Sequence, residues 1–254
     1  PICPAPADKG AKMENEKQKL LQENVARVRL RMAEALRAAG RAEGDVLLCA
    51  ASKMQDAATV RLAAGLEIDL FGENRVQELC EKSGAAAYGG KPLHFIGHLQ
   101  TNKVKLVVGS AQLIQSVGSE KLLRCIAAQA EKAALIQDLL IEVNIGGEES
   151  KSGAAPEEAE RLAALAGSLS HVRLRGLMAI PPVSTGEGSN RKFFAAMHQL
   201  VVDLQGKKYD NESTMDILSM GMSKDYPDAI LEGATLVRVG TALFGPRPAL
   251  RAQG

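Results

Sequence analysis

A lysine closes the short apolar run Leu47-Leu-Cys-Ala-Ala-Ser-Lys53. With the period of two that a strand imposes, Leu47, Cys49, Ala51 and Lys53 share one face. If that face lines a barrel, Lys53 stands at the C-terminal mouth above small side chains. A desolvated lysine has a lowered pKa and can attack an aldehyde as a free amine, forming a Schiff base. The plainer alternative is a solvated lysine just past a strand. A second signal comes from two short stretches, Ser219-Met-Gly-Met-Ser223 and Gly240-Thr241, each following an apolar run. Gly221 and Gly240 permit close backbone approach, and Ser219, Ser223 and Thr241 offer hydroxyls. Barrel proteins commonly hold a phosphate with such residues after their last two strands. The third signal is Arg238, inside Leu236-Val-Arg-Val239. A guanidinium buried without a partner is prohibitively costly. Either a carboxylate such as Glu142 pairs with it, or it donates to a ring nitrogen of a ligand.

Those residues need a frame. From about Glu14 to Ala39, Leu21, Val25, Val28, Met32 and Leu36 recur at intervals of three and four, which predicts a helix stopped by Gly40. Short apolar runs then alternate with helical stretches. The strand candidates are Val46–Ala51, Ile68–Phe71, Leu93–Ile96, Leu113–Gln115, Leu139–Ile145, Val172–Ile180, Met215–Leu218 and Leu236–Val239. Between them fall helical stretches over Thr59–Ala64, Val76–Lys82, Asn102–Val108, Glu120–Ala133, Pro156–Ser168, Phe193–Leu204 and Asp228–Leu231. Pro156 followed by two glutamates reads as a helical first turn. Strands alternating with helices mean a parallel sheet, and eight of them in about 200 residues suit a single (β/α)8 TIM barrel of the α/β class with one extra N-terminal helix. The expected organisation is a disordered segment over 1–13 and one barrel domain over 14–248. An open doubly wound sheet is the rival, but its phosphate loop has no counterpart here. Within the barrel, an aldehyde-seeking lysine, a phosphate nest and a ring-facing arginine together describe a site for pyridoxal 5′-phosphate (PLP).

Several other chemistries fall away. Gly84-Ala-Ala-Ala-Tyr-Gly-Gly-Lys91-Pro92 mimics a P-loop, but its lysine comes one position late and Pro92 stands where a magnesium-binding hydroxyl belongs. His94 and His98 do not share a face, because one lies in a strand and the other just past Gly97, so no zinc pair is expected. His171 and His198 read as structural. Cys3, Cys49, Cys80 and Cys125 lack metal-ligand spacing and read as ordinary thiols of a reducing compartment. The net charge of +1 offers no broad field for nucleic acid or an anionic membrane, and 3% aromatics without tryptophan offers no stacking platform. The first residues have neither the apolar core of a signal peptide nor an arginine-rich amphipathic face. A cytoplasmic monomer is expected, with a targeting piece outside this sequence left open.

The motifs Ala51-Ser-Lys53, Phe71-Gly-Glu-Asn74, His94-Phe-Ile-Gly-His-Leu-Gln100-Thr-Asn-Lys103 and Glu142-Val-Asn-Ile145 resemble the pyridoxal phosphate homeostasis protein family. So do Gly147-Glu-Glu-Ser-Lys151-Ser-Gly153, Gly176-Leu-Met-Ala-Ile-Pro181, Leu218-Ser-Met-Gly-Met-Ser223 and Val237-Arg-Val-Gly-Thr-Ala-Leu-Phe-Gly245. The match runs in order from about Val25 to Arg247. Leu93 and Met54 depart from it, standing where an aromatic and a small polar residue are more usual. The resemblance implies a barrel like the N-terminal domain of alanine racemase, with PLP held covalently on Lys53. It places Asn74 beside the cofactor ring, Ser219, Met220, Ser223, Gly240 and Thr241 around the phosphate, and Arg238 near the pyridine nitrogen. It further implies a protein that carries or buffers PLP in vitamin B6 and amino-acid homeostasis, with transient contact to PLP-dependent apoenzymes and no established reaction. An amino-acid racemase or decarboxylase of the same barrel class is the alternative. For that, Tyr226, beside the Ser219–Ser223 stretch, is the local candidate base.

Overall fold

The computed structural model describes residues 6–148, 151–207 and 211–246. Eight parallel strands close into one barrel in sequence order: β1 (Leu47–Ala51), β2 (Leu70–Glu73), β3 (Leu93–Phe95), β4 (Leu113–Val117), β5 (Gln137–Val143), β6 (Val172–Ala179), β7 (Ile217–Ser219) and β8 (Leu236–Val239). β8 pairs with β1, with Cys49 beside Arg238, so the sheet has no edge. The helices are α1 (Pro6–Ala38), α2 (Ala57–Ala64), α3 (Val76–Gly84), α4 (Val104–Val107), α5 (Glu120–Lys132), α6 (Pro156–Gly167), α7 (Arg191–Gln205), α8 (Tyr226–Leu231) and α9 (Thr241–Phe244).

The period of two sorts each strand into two layers. Leu48 and Ala50 of β1, Phe71 of β2, Phe95 of β3 and Leu139, Ile141 and Val143 of β5 face outward into the helix layer, forming the main core. Their neighbours face inward, where Cys49, Leu70 and Leu236 make one interior cluster and Leu113, Leu140 and Met178 another. The N-terminal mouth is closed by charge: Asp138 accepts from Arg173 and Arg175, and Arg175 reaches across to Asp216. The C-terminal mouth carries the chemistry.

The differences from the expected elements have local causes. α1 begins at Pro6, ahead of the Glu14 start, and so runs through residues 6–13 of the segment expected to be disordered. Residues 1–5, with Cys3, lie outside the described residues, as does 247–248 at the far end of the expected domain. β7 is displaced from Met215–Leu218 to Ile217–Ser219, which makes Ser219 a strand residue rather than a loop donor. β5 starts two residues early, at Gln137, whose amide side chain accepts from the Gly109 N–H and donates to the Ala111 carbonyl. The Asn102–Val108 stretch divides into a 3-10 turn over Thr101–Lys103 and the single turn of α4. Among the described cysteines, Cys49, Cys80 and Cys125 are free thiols. Among the described residues no helix is long and apolar enough to cross a membrane.

Candidate functional site

β1 and β2 end on the same device. Ser52 and Glu73 face outward, and their successors Lys53 and Asn74 turn in toward the mouth. The outward pair is pinned. Ser52 Oγ donates to Glu73 Oε1 at 2.6 Å, and Lys82 Nζ of α3 donates to Glu73 Oε1 and to the Ser52 carbonyl, each at 2.8 Å. Lys82 also reaches Glu78 Oε2 at 3.1 Å, and that oxygen accepts the Met54 N–H at 2.7 Å. Burial pushes the Glu73 carboxyl up, and the Lys82 ammonium and Ser52 hydroxyl pull it back. The turn carrying Lys53 is therefore bracketed on both sides by one buried ionic cluster. Sequence reasoning did not assign Glu73, Glu78 or Lys82 a role. A glutamate inside a buried strand, followed by a Glu–Lys pair four apart on the next helix, was the available signal.

Lys53 and Asn74 line a cavity of about 410 Å³ together with Ser223, Arg238, Gly240 and Thr241. Ile96, Ile180 and Phe244 supply apolar wall, and Val183, 75% exposed, marks where the cavity opens to solvent. Asn74 Oδ1 is buried and without a hydrogen-bond partner, an acceptor on the cavity wall that a ligand hydroxyl would satisfy. At the far end Ser223 Oγ accepts from the Gly240 and Ala242 N–H groups at 3.2 Å, which leaves its own proton to donate. A Cβ on Gly240 would lie 3.2 Å from the Ala51 carbonyl oxygen, a contact tight enough that a side chain there would push the β8 end away from β1 by a few tenths of an ångström.

Arg238 faces inward from β8. It does not ion-pair with Glu142: Nη1 donates to Ser219 Oγ at 2.5 Å and Nη2 to the Ala179 carbonyl at 2.9 Å. Ser219 Oγ in turn donates to Gln115 Oε1 at 2.6 Å, and the Gln115 amide meets His94 Nδ1 at 2.8 Å. A buried polar chain thus crosses the barrel from the cavity to His94. Burial lowers the Arg238 pKa from its ordinary value, and the nearby Cys49, Glu142 and Asp225 oppose that.

Ser219 and Met220 are fully buried and do not reach the cavity. Ser219 is occupied between Arg238 and Gln115, and Met220 packs in the main core. Gly221 is also off the cavity wall. At φ +87° it takes a left-handed turn, and a Cβ there would lie 2.5 Å from Ala229 Cβ, so α8 packing is what requires it. Tyr226 is buried beneath α1, with Arg31 5.5 Å from its ring centroid, and Tyr88 donates to Glu73; neither lines the cavity. Tyr209 lies outside the described residues. Among the described residues no group of three His, Cys, Asp or Glu is arranged to hold a metal.

The alanine racemase N-terminal domain family matches residues 19–248. The pyridoxal phosphate homeostasis protein of Aquifex aeolicus is 41% identical over 225 residues, covering 89% of this chain and 97% of that protein. Among solved structures, an unknown protein from Bifidobacterium adolescentis superposes with a TM-score of 0.86 at 35% identity, covering 90% of this chain and 96% of the other. PipY of Synechococcus elongatus PCC7942, solved with PLP bound, superposes at 0.71 with 32% identity, covering 84% of this chain and all of PipY.

Proposed function

This chain belongs to the pyridoxal phosphate homeostasis proteins, built on the alanine racemase N-terminal domain, and on that premise we propose that it binds PLP in the 410 Å³ cavity, covalently through Lys53, and carries it without turning over a substrate. The observation that carries the reading is the convergence of Lys53, Arg238 and Ser223 on one cavity, in a chain whose relative PipY binds PLP. The residues fit the cofactor. The Lys53 amine would hold its aldehyde carbon, the orphaned Asn74 oxygen would accept from its ring hydroxyl, and Ser223, Gly240 and Thr241 would receive its phosphate. When bound, PLP supplies an electron-withdrawing ring conjugated to the attached nitrogen.

Arginine has only donors. Arg238 would therefore face the pyridine nitrogen as a donor and leave it unprotonated, whereas a carboxylate partner would favour the protonated, electron-drawing ring. That supports binding over catalysis. The solvent-facing mouth beside Val183 suits delivery to PLP-dependent apoenzymes in the cytoplasm.

The test is a visible absorbance spectrum with added PLP, run beside Lys53→Ala, followed by borohydride reduction and peptide mapping. A yellow band absent from the variant, with the reduced adduct on Lys53, is expected. An adduct scattered over surface lysines would sink the assignment. Incubating the loaded protein with single amino-acid enantiomers should leave optical activity and amino-acid content unchanged. Efficient loss of either would favour a racemase or a decarboxylase.

A further inference from the structure

Across the mouth from Lys53, over the ends of β3, β4 and β5, lies a second cavity of about 510 Å³. Its wall carries Glu142, Ser116, Ser119, Gln100, Asn102 and His98, and no lysine or arginine among the described residues lines it. Glu142 is the last inward-facing residue of β5, since Ile141 and Val143 on either side face the helix layer. Glu142 is 5% exposed, and no hydrogen bond or ion pair among the described residues holds its carboxylate. Burial pushes that carboxyl up, with the charge of Arg238 opposing. A carboxylate in this position is costly to ionise without a cation beside it. The other named wall groups are hydroxyls, side-chain amides and the His98 imidazole. Ser116 Oγ donates to the Gly97 carbonyl at 2.5 Å, leaving its oxygen to accept, and the Gln100 and Asn102 amides are exposed and can donate or accept. An anion would meet the buried Glu142 carboxyl, with no lysine or arginine on the wall to hold it. An apolar ligand would strand the hydroxyls and amides.

We propose that this cavity binds a small hydrophilic amine, its ammonium against the Glu142 carboxylate and its polar groups against Ser116, Gln100 and Asn102. The site uses none of the Lys53 cavity's lining residues, so it stands or falls independently of PLP binding. Three small two-carbon probes separate the chemistries: ethanolamine, neutral ethylene glycol and anionic glycolate. They are titrated calorimetrically into borohydride-treated protein, in which no aldehyde remains to react with an amine. Ethanolamine should bind at least tenfold more tightly than either of the others. Glu142→Gln should weaken it at least tenfold, the exposed Asn102→Asp should tighten it severalfold, and Lys53→Ala should leave it unchanged. Equal affinity for the three probes, a preference for glycolate, or no binding of ethanolamine would overturn the proposal. So would ethanolamine binding that neither Glu142→Gln nor Asn102→Asp alters. If Glu142→Gln fails to fold, the Asn102→Asp result decides.

Discussion

Met54, directly after the lysine, holds φ at +63°, a left-handed conformation that costs a non-glycine residue roughly 1–2 kcal/mol. Glu78 captures its N–H and keeps the turn in that shape. Asparagine visits this region more readily, so Met54→Asn should raise stability by about 1 kcal/mol, or about 2–4 °C in Tm, with the Lys53 adduct unchanged. Across the barrel, the polar chain has a fixed direction. Arginine can only donate, so Ser219 accepts from Arg238 and donates to the Gln115 oxygen; the Gln115 amide must then donate to His94 Nδ1, which leaves the proton on Nε2. Burial holds the His94 pKa down to about 4. The unfolded histidine takes a proton below about 6.5 and the folded one does not, so this contribution is complete above pH 6.5 and is lost as pH falls toward 4. The buried Glu73 and Glu142 carboxyls are raised instead, so protonating them favours the folded state and opposes the loss. Urea melts at pH 7 and 4.5 should therefore show the protein losing roughly 2–3 kcal/mol more than His94→Gln does. Equal losses would place the imidazole's titration outside the folding equilibrium. None of this chain was legible in sequence. His94 reads as a structural histidine, and nothing in spacing tells that Arg238 takes a serine and a carbonyl in place of Glu142.

At the scale of elements, β1, β2 and α3 are joined by one ionic cluster, Glu73–Lys82–Glu78. Removing only the cation leaves a buried carboxylate without its partner, which typically costs 3–5 kcal/mol, whereas removing both charges is far milder. Lys82→Met should be strongly destabilising in denaturant melts, and Glu73→Gln combined with it should recover much of the loss. Additive losses in that cycle would mean the two side chains are not coupled. The elements themselves were legible where they are long and periodic. α1 buries the Leu21, Val25, Val28, Met32 and Leu36 face that its spacing predicts. α5 starts where Ser119 can cap it, the Ser119 hydroxyl accepting from the Leu122 N–H. Among the short elements, β8 was legible at its exact bounds, whereas β7 was displaced and α9 was missed. β7 has three residues and α9 four, and neither carries enough residues for a period to fix its bounds by itself. The cost fell on the site, because the displaced β7 turned Ser219 from an expected phosphate donor into a buried link.

Across the whole molecule, the barrel divides its labour between its ends. The eight alternating runs made the closed sheet legible, but nothing in them showed how the extra helix is used. α1 packs against α8 and α9, the two elements that follow the β7 and β8 loops. Asn24 Nδ2 donates to the Leu243 carbonyl of α9 at 2.8 Å, and Arg31 lies over the Tyr226 ring of α8. The helix is thus a strap over the end of the cavity where Ser223, Gly240 and Thr241 lie. Asn24→Ala would leave the Leu243 carbonyl buried and unpaired, a loss of about 1–3 kcal/mol. If the strap also positions the proposed phosphate end, PLP should be retained severalfold less well in equilibrium dialysis, while borohydride still labels Lys53. Arg173→Ala, which loosens the ionic closure at the opposite mouth, supplies the control. Destabilised without touching α1, it should keep its affinity for PLP. If both variants lose affinity in proportion to their stability, α1 serves the fold alone; if Asn24→Ala loses it at matched stability, the N-terminal helix is part of how the cofactor is held.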